Sequence, residues 1–240
     1  MKRKTPRVRQ KEALAQQPQA VPGMKHKNLF VFSAVFLLVA FIVGALLYKS
    51  EKVDAAAEAY RQDKSTFIRA HSPAKGNAGA KVDIVEFFDP ACETCKAFSP
   101  LVKKLMAANP DRIRLYLRYA PFHQGSDQVA KMLAAADKQG KFWETLDAVF
   151  ATQASWAPNH QPQPQLVWNH IGGVGLDLAR LRQDMNAPEI EALIRQDLAD
   201  AKALNVTMTP EFFVNGKPLP SFGEGQLKEL VVNALDAAYR

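Results

Sequence analysis

The sequence predicts an α/β domain carried behind one N-terminal transmembrane helix, and three observations carry that prediction. Residues 29–48, LFVFSAVFLLVAFIVGALLY, form an apolar run without a charge. Residues 82–88, VDIVEFF, read as a buried strand that leads through Cys92-Glu93-Thr94-Cys95 into a helical run. Near the C-terminus, two short strand-like runs flank Asn215-Gly216, a strong type I′ hairpin signal.

The first 28 residues are polar, Pro- and Gln-containing and expected to be disordered. They hold eight Lys and Arg against Glu12, which equals the net charge of +7 of the whole chain. Removing those eight from 31 basic residues and that one from 24 acidic residues leaves 23 of each. The basic excess is therefore a tail property, and nucleic-acid binding is not expected. At about 1.5 Å per residue, 29–48 spans roughly 30 Å, the thickness of a bilayer core. The positive-inside rule places the tail in the cytoplasm and everything after Tyr48 on the far side. A cleaved signal peptide would have a shorter apolar region, and charges at 49–54 separate this run from the Ala57-Glu58-Ala59 site. An uncleaved single-pass anchor is the expectation.

Residues 49–80 then read as an Ala- and charge-rich helical stalk followed by a Pro/Gly linker. The domain is expected over 81–240. Its first strand, 82–88, precedes a helix over 96–108, which Asn109-Pro110-Asp111 breaks. Ile113, Leu115, Leu117 and Tyr119 alternate with Arg114, Tyr116 and Arg118, the period of a strand. Strand, helix and strand make a βαβ unit, so the two strands should be parallel. A helical block fills about 121–204. Ser126 reads as the N-cap of a helix over 127–138, and helices follow at 142–151, 178–185 and 188–203, with Pro188 at a permitted first-turn position. Residues 156–164 read as a Pro/Gln loop. The hairpin of 211–214 and 217–219 and an amphipathic helix over 225–240 close the chain.

Cys92 and Cys95 are the only cysteines. A CxxC between a strand and a helix reads as a redox motif. Unpaired backbone N–H groups at the helix start carry partial positive charge and stabilise a thiolate, the attacking species. A structural staple is disfavoured because a loop this small stabilises little. A structural zinc site would need further ligands. A non-enzymatic alternative is a copper-binding or copper-delivery protein holding a soft monovalent ion on the two sulfurs. A peptide-binding chaperone that only retains the fold is a third.

The segments VEFFDPACETCKAFSP (85–100), RYAPFHQGS (118–126) and NVTMTPEFFVNGKPL (205–219) together resemble the DsbA-like thiol:disulfide oxidoreductases of the thioredoxin superfamily. The resemblance covers about 65–240 and implies a thioredoxin fold with a helical insertion. With the anchor, the chain looks like the tethered members of Gram-negative bacteria, in the inner membrane with the domain in the periplasm. The resemblance implies Cys92 as nucleophile and Cys95 as the resolving partner. It implies a cis peptide at Pro210, leaving the backbone of Thr209 to pair with an extended substrate peptide. It also implies a buried carboxylate at Glu86 that relays the Cys95 proton. No cofactor beyond the Cys92–Cys95 disulfide is expected. The implied partners are reduced or misoxidised secreted proteins and a membrane redox partner, either DsbB-like or an electron donor.

His123 follows the second strand and reads as a local hydrogen-bonding residue rather than a catalyst. Trp143, Trp156 and Trp168 read as core or groove, and Met208 as groove. Glu93, beside Cys92, should oppose its ionisation and make the pair less oxidising than its strongest relatives. Residues 50–80 are too short for the dimerisation domain typical of isomerases. A monomeric dithiol oxidase is therefore expected, with a reductase or isomerase as the alternative.

Overall fold

The computed structural model describes residues 26–240. The basic tail expected over 1–28 therefore lies outside the described residues up to position 25. The chain divides into two units, Met1–Lys49 and Ser50–Arg240. Helix α1, His26–Gln62, begins in the first. Its stretch Val31–Tyr48 is long and apolar enough to cross a membrane, and every side chain in it is exposed.

In the second unit, β1 (Ala74–Gly76), β2 (Val82–Phe88), α2 (Glu93–Ala108) and β3 (Ile113–Tyr119) come first. The insertion follows as α3 (Ser126–Asp137), α4 (Phe142–Ala151), α5 (Gln153–Trp156), α6 (Pro164–Val167), α7 (Leu178–Asp184) and α8 (Pro188–Ala203). Then come β4 (Glu211–Val214), β5 (Lys217–Pro218) and α9 (Glu224–Tyr239). The five strands form one sheet in the order β1-β3-β2-β4-β5. β2 and β3 are parallel and in register from Val82 opposite Ile113 to Phe88 opposite Tyr119. The other pairs are antiparallel. This is a thioredoxin-like fold with a helical insertion. Asn215 and Gly216 both have positive φ, 48° and 79°, as a type I′ turn requires.

Two helix readings need correction. Ser126 is the first residue of α3, and Gly125 (φ 89°) is the cap. The Ser126 hydroxyl lies 3.0 Å from the buried Asp89 carboxylate, which recruits it as a donor and draws it away from capping. The loop expected over 156–164 contains a 3-10 turn at Pro158–His160 and the first residue of α6.

The stalk is the larger correction. From Ala57 onward the segment packs into the domain, where it covers one face of the sheet alongside Ala201 of α8 and Val206. Tyr60 and Phe67 are buried together with Val85, Phe87 and Phe213 on that face. The Phe67 ring meets Phe213 edge-on at 5.3 Å between centroids. Residues 74–76 then add strand β1, which the reading of a Pro/Gly linker before position 81 missed. Gly76 is required there, since its φ is 105° and a Cβ would stand 2.4 Å from the Ile113 carbonyl oxygen.

Arg118, one of the polar positions of the β3 alternation, is fully buried. Its guanidinium reaches Asp197 at 2.8 Å and donates to the carbonyls of Thr66 (2.9 Å) and Phe67 (2.6 Å). Asp200 also pairs with it and takes a second ion pair from Arg69. Buried charges persist only where such partners surround them. This cluster ties α8 and the 66–69 segment to the sheet.

The opposite face of the sheet carries Ile84, Phe88, Leu115, Leu117, Phe212 and Val214 within the main core. α9 packs on β2 and β4, and α2 packs on α9. This face holds Glu86, which stands between Ile84 and Phe88 in the strand's two-residue period.

Candidate active site

β2 ends at Phe88, and the turn Asp89-Pro90-Ala91 delivers the chain to Cys92 at the mouth of α2. Cys92 is the N-cap, with extended backbone (φ −74°, ψ 117°), and its sulfur accepts the Cys95 N–H at 3.4 Å. A sulfur here takes the position where Ser or Asp oxygens usually satisfy the unpaired N–H groups of a first turn. Both cysteines are free, so the pair is a dithiol. Cys95 is fully buried, and Cys92 retains 6% of its surface.

Two buried groups hold the turn. Asp89 accepts from the backbone N–H of Ala91 and of His123, both at 2.8 Å, and its carboxylate meets His123 Nδ1 at 2.8 Å. The Gln153 side-chain amide donates to the carbonyls of Pro90 (2.9 Å) and Cys92 (3.0 Å). The sequence reading singled out neither Asp89 nor Gln153. Asp89 stands three residues before the motif, but Gln153 lies 61 residues beyond Cys92, where spacing gives no signal. His123 binds Asp89 and stacks on His160 with centroids 5.4 Å apart.

The segment before β4 closes the site from the other side. The Thr209–Pro210 peptide is cis. The Thr209 carbonyl oxygen lies 3.2 Å from Cys92 Sγ, so the Cys92 thiol donates to it. The neighbouring Met208 is exposed.

The three titrating groups move apart. The Cys92 thiol falls to about 5. A hydrogen bond from the Cys95 thiol is the largest cause, and the Thr209 side chain and the N–H groups of Cys95 and Thr94 add to it against the cost of desolvation. Burial pushes Cys95 well above the usual thiol range, and the hydrogen bond to Cys92 and the Glu86 charge push the same way. Burial also lifts Glu86 to about 8, with the Cys92 charge second. These donors outweigh any opposition from Glu93, whose side chain is exposed and faces His160 at 3.9 Å. Opposite shifts within one small site are the usual mark of assigned acid and nucleophile roles. Among the described residues, no group of three or more His, Cys, Asp or Glu side chains could hold a metal ion.

The βαβ-plus-hairpin sheet, with paired thiols where β2 meets α2, defines a thioredoxin-like protein. A thioredoxin family model matches residues 69–232, and the chain belongs to that family. A thioredoxin-like oxidoreductase from Silicibacter pomeroyi is 33% identical, with 73% of this chain and 99% of that one covered at a TM-score of 0.63. The thiol-disulfide exchange protein alpha-DsbA2 from Wolbachia pipientis is 21% identical and shares the fold, covering 76% of this chain and 97% of its own at a TM-score of 0.63. A Na(+)/H(+) antiporter NhaA from Herminiimonas arsenicoxydans is 31% identical over 145 residues, which is 60% of this chain and 22% of the antiporter. The chain thus spans about a fifth of the length of the curated relatives it matches.

Proposed function

We propose that this chain is a membrane-tethered thiol–disulfide oxidoreductase of the bacterial inner membrane. In this reading Val31–Tyr48 is the anchor, the N-terminus is cytoplasmic, and a monomeric periplasmic domain passes the Cys92–Cys95 disulfide to secreted proteins. The observation that carries the reading is the division of labour between the sulfurs: Cys92 is acidic and retains some exposure, while Cys95 is buried and held as a thiol.

In the oxidised protein, a substrate thiolate attacks Cys92 Sγ and breaks the Cys92–Cys95 bond. Cys95 leaves and takes a proton, with Glu86 as the buried group positioned to supply it. A second substrate thiolate then attacks the substrate sulfur of the mixed disulfide. Cys92 leaves as a thiolate, which its low pKa favours. The substrate has lost two electrons, and the chain is left as the Cys92/Cys95 dithiol. A membrane-bound redox partner of the disulfide or quinone class takes those electrons back. Thr209 and cis-Pro210 beside Cys92 offer an extended peptide a backbone edge, which captures many sequences without selecting one.

The direction of exchange follows from thiolate stability. A value of about 5 for Cys92 lies between the ~7 of thioredoxin and the ~3.5 of DsbA. That supports a moderately oxidising couple, as expected from the absence of a stabilising residue at Glu93. It weighs against the reductase alternative. Burial of Cys95 as a thiol opposes the two-thiolate ligation that copper delivery would need.

Expression of a Cys95→Ala variant in bacteria tests the reading. Without the resolving thiol, the Cys92 thiolate can still attack a substrate disulfide, releasing one substrate thiolate and staying joined to the other sulfur, so mixed disulfides with secreted proteins should accumulate on non-reducing gels. A Cys92→Ser variant should accumulate none. An absence of adducts with Cys95→Ala, or equal adducts with both variants, would contradict it.

A further inference from the structure

A cavity of about 500 Å³ lies against the α2 face of the sheet, and neither Cys92 nor Cys95 lines it. Phe88, Leu115 and Leu117 line it from the strands, Val102 from α2, and Leu146 and Phe150 from α4. Its volume is that of a small-molecule site, which is typically apolar with a few convergent polar groups. Here one polar group is built into the buried wall. Glu86 lines the cavity and is 5% exposed, and among the described residues its carboxyl has no hydrogen-bond partner.

The chemistry of the lining restricts the occupant. At the exposed edge, Lys103 of α2 and Asp147 of α4 face each other at 2.5 Å, so their charges cancel. Lys75 stands over the Trp143 ring at 5.2 Å, and Asn77 donates to Asp111 at 3.3 Å. Neither contact neutralises Lys75 or Asp111, so the edge keeps one charge of each sign; the buried wall offers a charged head no counter-ion, and such a head would lose its hydration there. Burial keeps Glu86 protonated up to about 8, so at neutral pH it presents an O–H donor with no acceptor. We propose that this cavity is a binding site for a neutral, largely apolar organic molecule whose carbonyl oxygen accepts a hydrogen bond from Glu86.

Benzophenone, a neutral diaryl ketone whose excited carbonyl abstracts nearby C–H hydrogens, is the probe. The full-length protein in detergent micelles is irradiated with increasing benzophenone, and the adducts are mapped by peptide mass spectrometry. The site predicts saturable adducts on Val102, Leu117 or Leu146, above a non-saturating background on the apolar helix. Ser99→Trp, which places an indole in the cavity from α2, should abolish them. Glu86→Leu removes the donor and should weaken half-saturation about tenfold, the factor for one hydrogen bond of about 1.4 kcal/mol. Glu86→Gln keeps a donor and should stay close to the unmodified protein. Thermal unfolding of each variant separates loss of the site from loss of the fold. Adducts confined to the apolar helix would overturn the proposal, as would cavity adducts unchanged in a folded Ser99→Trp or equal yields from Glu86→Leu and Glu86→Gln.

Discussion

The carbonyl oxygen of Thr209 lies 3.2 Å from the sulfur of Cys92, across 117 residues of chain. The start of α2 and the start of β4 meet at one atom. As a thiol, Cys92 donates to that carbonyl; as a thiolate, it turns to the donors around it. Cys92 should therefore titrate near 5, and the Cys95 thiol is the first cause. Ultraviolet thiolate absorbance of the reduced protein against pH checks this. A Cys95→Ala variant, which lacks that donor, should titrate about one unit higher or more. A midpoint near the ~8.5 of a free cysteine would show that the helix start does not hold the thiolate.

Cys92 and Glu86 make opposite demands on stability. The depressed Cys92 pKa contributes stability that is present above the ordinary thiol value of 9.0 and is lost as pH falls through about 5. The raised Glu86 pKa contributes stability that is present below the ordinary carboxyl value of 4.5 and is lost as pH rises through about 8. Between about 5 and 8 the native state takes up one proton that the unfolded chain lacks and gives up one that it holds, so the slopes cancel. Burial lifts Glu211 to about 7, which adds a falling slope below that value. Denaturant unfolding of the reduced protein should therefore lose stability from about pH 5 to 7 and be nearly flat from about 7 to 8. In Glu86→Gln, stability should be nearly flat from about pH 5 to 7 and climb by up to about 1.4 kcal/mol per unit from about 7 to 8. A variant profile parallel to that of the unmodified protein would contradict the assigned shifts.

Gln153 should matter out of proportion to its position. Its buried amide serves the carbonyls of both Pro90 and Cys92. A Gln153→Ala change leaves the Pro90 carbonyl without its donor and removes one of two donors from the Cys92 carbonyl, which keeps the Lys96 N–H at 3.2 Å, and should cost about 1–3 kcal/mol. Thermal unfolding should register that as a drop of about 2–12 °C for a chain of this size. An unchanged midpoint would mean that the turn before α2 holds its shape without the amide.

The parts of the fold with a strong local pattern were legible in the sequence. Burial of 82–88, the alternation in 113–119 and the Asn215-Gly216 turn each report on their own backbone, and each element forms where the pattern places it. The CxxC is equally local. What the sequence hid depends on long-range company. Tyr60 and Phe67 look like stalk residues until the bare face of β2 and β4 is there to receive them. Arg118 looks solvent-facing by alternation, yet Asp197 and Asp200 arrive from α8 to bury it. Ser126 has the chemistry of a cap, and the buried Asp89 claims its hydroxyl instead. Gln153 carried no signal because its partners are backbone carbonyls that any sequence supplies.

The reduction potential of the Cys92–Cys95 pair, equilibrated against glutathione, tests the central claim most directly. The protein used should span 50–240, which keeps Tyr60 and Phe67 on the sheet. The account predicts a disulfide donor with a potential of about −120 to −180 mV. A potential near that of thioredoxin, about −270 mV, would contradict it and make the chain a reductant.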